Sequence, residues 1–94
     1  MEINLSNIEK KALQKKAYSL KPVVMIGQKG LTDTVLVEVD IALKAHKLIK
    51  VRIRGVDKHK RKEHCLQIEQ QLNAKVVHQI GGITVLYRPA PIPS

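Results

Sequence analysis

The sequence predicts an α/β fold of the two-layer α+β kind, an N-terminal helix followed by β-α-β-α-β-β, with a four-stranded mixed sheet. Segments of helical periodicity alternate with short apolar runs, and a strand, helix, strand series closes as a right-handed parallel crossover. The chain then ends on two strand-like runs around Gly81-Gly82, which read as an antiparallel hairpin. Ninety-four residues, 44% of them hydrophobic, supply one modest core and no second lobe.

Ser6-Asn7-Ile8-Glu9 has the spacing of a capping box and opens a helix expected to run to about Leu20, stopping before Pro22. Leu5, Ile8, Ala12, Leu13, Ala17 and Leu20 make its apolar face. Lys10, Lys11, Gln14, Lys15 and Tyr18 fall opposite, and Lys16 snorkels at the edge. Val23-Val24-Met25-Ile26 is a short strand that runs into Gly27-Gln28-Lys29-Gly30. The next helix, capped by Thr32 or Asp33, reaches about Lys44, with Val35, Leu36, Val39, Ala42 and Leu43 inward. Val37 and Ile41 lie on its other side, against another helix or exposed.

Leu48 to Arg54 alternates strictly, so Ile49, Val51 and Ile53 turn inward and Lys50, Arg52 and Arg54 line the other face. Gly55 ends that strand. Asp57 caps a third helix to about Leu72, whose core contacts are Cys65, Ile68 and Leu72, and Asn73 takes the left-handed position after it. Val76–Ile80 and Ile83–Tyr87 form the hairpin. Residues 1–88 read as one domain and 89–94 as a proline-rich mobile tail.

Seventeen Lys and Arg against eight acids leave +9, the electrostatic footprint of a polyanion binder. Residues 50–62 hold seven Lys or Arg and one Asp, and so +6 of that charge. Lys58, Lys60, Arg61 and Lys62 also oppose the macrodipole at a helix start, a local rule broken where function is to be sought. Two glycines around a two-residue polar insert let the backbone approach another molecule, and the helix start behind them suits a phosphate. A tight turn needing glycine alone would have the same pattern. Aromatics are 2%, with no Trp or Phe, which argues against modules that stack bases on aromatic platforms.

One cysteine, Cys65, excludes an internal disulfide and fits a reducing cytoplasm. No secretory or membrane-spanning pattern is present, so a cytoplasmic chain away from membranes is expected. His59, His64 and Cys65 lack a fourth ligand at usable spacing, so no metal site is expected, and Cys65 reads as a core thiol. Gly27–Gly30 lacks the terminal Lys-Ser/Thr of a nucleotide-binding P-loop. With no nucleophile–base pair and no paired acids, the reading is a non-enzyme without cofactor or small-molecule substrate.

Ile26-Gly27-Gln28-Lys29-Gly30-Leu31, His46-Lys47-Leu48-Ile49-Lys50-Val51, Gln79-Ile80-Gly81 and Leu86-Tyr87-Arg88, in that order, resemble the CRM domain, named for chloroplast RNA splicing and ribosome maturation. The match spans about residues 3 to 89 and is similar to the bacterial single-domain YhbY branch. The resemblance implies a fold like the C-terminal domain of translation initiation factor three, and an RNA-binding protein of large ribosomal subunit precursors. It also implies that Gly27, Gln28, Lys29 and Gly30 form the family's GxxG loop. Lys47 departs from the acid usual in the family, and the Lys58–Lys62 cluster is unusually basic.

The combined expectation is a monomer that binds ribosomal RNA by its backbone and shape. Gly27, Gln28, Lys29 and Gly30 would grip one phosphate, while Lys50, Arg52, Arg54, Lys58, Lys60 and Arg61 extend a track. Lys11, Lys15 and Tyr18 are accessory candidates. The alternative is a protein-interaction module that docks on an acidic ribosomal or assembly-factor surface. A duplex-DNA binder is disfavoured by the lack of a base-reading helix.

Overall fold

The computed structural model describes residues 5–89. Its elements follow the expected order: α1 (Asn7–Ala17), β1 (Pro22–Ile26), α2 (Asp33–His46), β2 (Leu48–Ile53), α3 (Lys58–Leu72), β3 (Lys75–Ile80) and β4 (Ile83–Tyr87). Beyond Pro89, the segment expected to be a mobile tail lies outside the described residues. No helix of the described residues is long and apolar enough to cross a membrane.

The local signals for helix starts act as expected. Ser6 and Glu9 exchange hydrogen bonds in a capping box, Thr32 Oγ1 accepts from Val35 N–H, and Asp57 Oδ1 accepts from Lys60 N–H at 2.8 Å. Asn73 ends α3 in the left-handed conformation, φ 52° and ψ 41°. The first helix, however, stops at Ala17 rather than Leu20. Leu20 N–H bonds back to the Ala17 carbonyl in a turn, and Leu20 packs against the cluster of Ala17, Val77 and Val85, while Pro22 holds the chain extended.

The sheet order is β1-β2-β4-β3, parallel between β1 and β2 and antiparallel elsewhere. It is therefore mixed and four-stranded, as the sequence predicts. Ile26, Val51, Ile53 and Leu86 turn to one face and meet Val39 and Leu43 of α2 and Ile68 of α3. This core, between the sheet and helices α2 and α3, is aliphatic but for the Cys65 thiol.

The opposite face is where α1 packs. Ala17, with Leu5, Leu13 and Leu20, covers Val77, Val85, Leu48 and Tyr87. The face of α1 differs from expectation: Ile8 is 81% exposed and Ala12 is exposed, whereas Lys10 and Gln14 are half-buried. The helix is rotated by about one residue position from the face that counting apolar residues implies. Lys10 can turn inward because its methylene stem lies along apolar surface while the ammonium reaches water.

Arg88 ties the end of β4 to both core helices. Its guanidinium donates to Asp40 Oδ1 and to the Leu72 carbonyl at 2.8 Å each, and to the Asp40 carbonyl at 3.1 Å. The Leu72 carbonyl belongs to the last turn of α3, which has no intrahelical donor, so Arg88 caps one helix while pairing with another. That bond holds the Asp40 carboxyl below its usual range, helped by Lys44 and opposed by partial burial. Arg88→Met should cost roughly 2 kcal/mol, from a charged hydrogen bond and a stranded carbonyl. Because the folded-state pKa is lowered, Asp40 adds stability above the ordinary carboxylate pKa of about 4 and loses it as pH falls further. In thermal melts, the gap between the natural chain and the variant should be widest above about pH 4 and narrow below it.

Candidate functional site

Because β1 and β2 are parallel neighbours, paired Met25 to Arg52 and Ile26 to Ile53, their C-terminal ends lie side by side. Each runs through a short loop into a helix start. Two helix N-termini, each worth about half a positive charge, therefore face one edge of the sheet. The turn of the β3–β4 hairpin is at the same edge, where Gly82 carbonyl accepts from Ile53 N–H at 2.7 Å. A Cβ on Gly82 would lie 2.7 Å from the Ile53 carbonyl oxygen, so glycine is required for that approach.

The two glycines of the β1–α2 loop do different things. Gly30 N–H donates to the Gly27 carbonyl at 3.0 Å, closing a four-residue turn, and Gly30 itself has φ +75°. A Cβ there would lie 3.1 Å from His64 Nε2. Gly27 has an ordinary backbone and open space where a Cβ would go, so its bareness serves neither strain nor packing. Gln28 folds over Gly55, whose added Cβ would meet Gln28 Cγ at 2.5 Å. The β1–α2 and β2–α3 loops are thus packed together.

His64 joins this assembly through tertiary packing alone. It is 5% exposed, sits behind Gly30 and leaves Nδ1 without a partner among the described residues. Its position four residues before Ile68, on the buried stripe of α3, is the one sequence signal that could have found it. Cys65 next to it is a core thiol. Burial pushes its pKa up, and its sulfur lies 3.6 Å from Thr84 Oγ1 and accepts from Gln79 Nε2 at 3.4 Å.

Residues 5–88 match the CRS1 / YhbY (CRM) domain family. The chain belongs to that family. It is 43% identical over 86 residues to an RNA-binding protein of Haemophilus influenzae, spanning 92% of this chain and 87% of that one. A probable RNA-binding protein of Pseudomonas aeruginosa is 32% identical over 90 residues, 96% of this chain and 86% of that one. The maize chloroplast CRS2-associated factor 2 is 34% identical over 84 residues, which are 89% of this chain but 14% of the factor. The solution structure of a hypothetical protein from Staphylococcus aureus shares the fold. Its TM-score is 0.82 at 24% identity, over 97% of this chain and 95% of that one.

Within this CRM domain, Gly27, Gln28, Lys29, Gly30, Arg54, Lys58, Lys60 and Arg61 all belong to the loops or helix starts of that one edge. Lys29, Arg54 and Lys58 are exposed, and Arg61 is half-buried. Arg54 lies just past the strand rather than within it, its N–H donating to the Ile26 carbonyl at 2.8 Å. Among the described residues, no ion pair engages Lys29, Arg54, Lys58 or Arg61, while Lys60 reaches Glu63 at 3.4 Å. Asp57, at the cap, is the acid closest in sequence to the cluster.

Lys50 and Arg52 are placed differently. They lie on the sheet face that α1 partly covers, and both are half-buried. Arg52 sits in a row across the sheet, Met25, Arg52, Ile83 and Ile80, one step behind Arg54. Lys50 is about 13 Å behind Arg54 at strand spacing. Lys11 and Lys15 are on the exposed side of α1. Tyr18, 88% exposed, precedes β1 and so lies about a strand's length, roughly 17 Å, from the glycine loop.

Proposed function

We propose that this CRM domain binds structured RNA by its phosphate backbone, at the edge built from the glycine loop and the start of α3. The observation that carries the reading is the convergence there of two helix N-termini with exposed Lys29, Arg54 and Lys58, which no ion pair engages among the described residues. Elsewhere, Lys44 is paired with Asp40, and Lys15 and Lys16 lie in the last turn of α1, where the helix dipole offsets their charge. At this edge the dipoles and the side chains have the same sign and add. The bare backbone at Gly27 admits a phosphate to main-chain N–H groups, and Lys29 adds a charge. Arg54, Lys58, Lys60 and Arg61 continue the track, with Arg52 and Lys50 behind it on the sheet. The relatives named as RNA-binding proteins support RNA as the polyanion.

The finer reading is action on ribosomal RNA in large-subunit precursors, in the cytoplasm, without catalysis. With few aromatic rings, sequence preference should be weak and salt dependence steep. If about six phosphates are neutralised, the log–log slope of affinity against salt should be near −4 to −5. A slope near zero in filter binding removes the phosphate track. Crosslinking in cells should recover large-subunit ribosomal RNA, and recovery of other RNAs alone would discard the ribosomal assignment.

A further inference from the structure

At the end of the strands opposite the glycine loop lies a groove of about 590 Å³ that the RNA reading leaves unused. It opens where α1 ends, β1 and β2 begin and α2 ends. Leu13, Leu20, Val23, Leu48 and Tyr87 form an apolar floor, and Val23 is still 52% exposed there. Lys16, Lys21, Lys47 and His46 stand around it, and none of the described residues lining it is an acid. The C-termini of α1 and α2 border the groove and together carry about one negative charge, which accounts for part of the lysine density, while that of α3, at the same end, is capped by Arg88. Three lysines exceed that, leaving about two positive charges over an apolar floor.

Lys47 holds its place on the rim at a cost. Its φ of 65° and ψ of −41° fall outside the left-handed well that a non-glycine residue can use without strain. The surroundings impose this: Lys47 N–H donates to the Leu43 carbonyl at 2.8 Å and its carbonyl accepts from Arg88 N–H at 2.9 Å. The rim cation is therefore rooted in fixed backbone.

We propose that this groove docks an acidic amphipathic segment of a partner protein, aliphatic side chains on the floor and carboxylates against Lys16, Lys21 and Lys47. The floor decides between protein and nucleic acid. Unpaired bases need rings to stack on and polar groups to read their edges. Here the floor holds one half-buried ring, Tyr87, among aliphatic side chains, the only other ring is the His46 imidazole on the rim, and the lysines offer charge without a pattern. Leucine or isoleucine anchors at helical spacing fit such a floor. The groove is a strand's length from the glycine loop, so both ends can be occupied together.

The probe is a synthetic helix of about four turns, with Leu at i, i+3, i+4 and i+7 and Glu elsewhere. It is titrated into the nitrogen-15-labelled full chain, beside a control peptide of equal charge with each Leu replaced by Ser. Amide shifts are expected at Lys16, Leu20, Val23, Lys47 and Leu48, with a Kd on the order of 10–100 µM, as suits a small interface. Val23→Asp, at an exposed strand position, should weaken the Leu peptide about tenfold or more by burying a like charge against its carboxylates. Three results overturn the proposal: equal binding of the Ser peptide, shifts confined to Gly27–Gly30 and the first turn of α3, or an unstructured RNA oligonucleotide that occupies the groove and resists displacement by the peptide. Should the Val23 variant fail to fold, the two peptides on the natural chain decide the matter.

Discussion

Exchanging Lys29, Arg54 and Lys58 together for glutamine should lower RNA affinity by about two orders of magnitude or more in low salt and leave the fold intact. All three side chains are exposed, and no ion pair among the described residues depends on them. Each phosphate contact removed should also flatten the log–log salt slope by about 0.7–0.9, so the triple variant should lose roughly 2–3 from a slope near −4 to −5. Affinity at one salt concentration would not separate this from a general loss of charge; the slope would. The matched control replaces Lys16, Lys21 and Lys47, which are exposed at the opposite end of the strands. It removes the same net charge away from the loop edge. If both variants lose affinity and slope alike, the protein attracts RNA by its overall field and the loop edge is no site.

Gly30→Ala destabilises the protein by about 2 kcal/mol, whereas Gly27→Ala changes stability by less than about 0.5 kcal/mol. The two glycines look equivalent in a GxxG motif. At Gly30 an added methyl incurs the left-handed backbone penalty, about 1–2 kcal/mol, and then presses on His64 Nε2 at 3.1 Å. His64 cannot step aside easily, because it is buried in α3 beside Cys65. For a domain of this size the melting temperature should fall by about 10 °C. At Gly27 the methyl meets open space. Its effect should appear in RNA affinity instead, where the methyl stands between a phosphate and the main chain. Gly27→Asp extends the same test by adding a negative charge at a position that tolerates a side chain. A melt that falls equally for Gly27→Ala and Gly30→Ala would contradict the geometry of the loop.

Much of the loop edge could be read directly. Ser6, Thr32 and Asp57 are caps because a short polar side chain before an apolar-periodic run has few other uses. The alternation from Leu48 to Ile53 fixed the inward set Ile49, Val51 and Ile53, and the basic density of residues 50–62 stood out in composition alone. The sequence could not show that Gln28 rests on Gly55, or that His64 supports Gly30. Both are contacts between segments far apart in the chain, with no local pattern.

The first helix shows the limit most clearly. Its apolar residues span half of the helix circumference, so periodicity allowed several faces. Leu13 and Ala17, inward as expected, share the buried side with Lys10 and Gln14 rather than with Ile8 and Ala12. Leu86-Tyr87-Arg88 is legible as a motif, yet the work of Arg88, joining Asp40 to the end of α3, arises only from the packing of distant segments.

The sequence by itself determined the order of elements, the caps and the concentration of positive charge near one loop, because each follows from neighbours within a few residues, and the mixed sheet, because a strand–helix–strand connection closes parallel and a short glycine turn antiparallel. Tertiary structure alone decided that α1 lies on the face carrying Lys50 and Arg52, and that the cations divide between two ends. At one end, helix N-termini add to Lys29, Arg54 and Lys58. At the other, helix C-termini subtract from Lys16, Lys21 and Lys47 above an apolar floor. Both clusters look alike in a charge count; dipole direction and burial, set by the packing of distant segments, separate them.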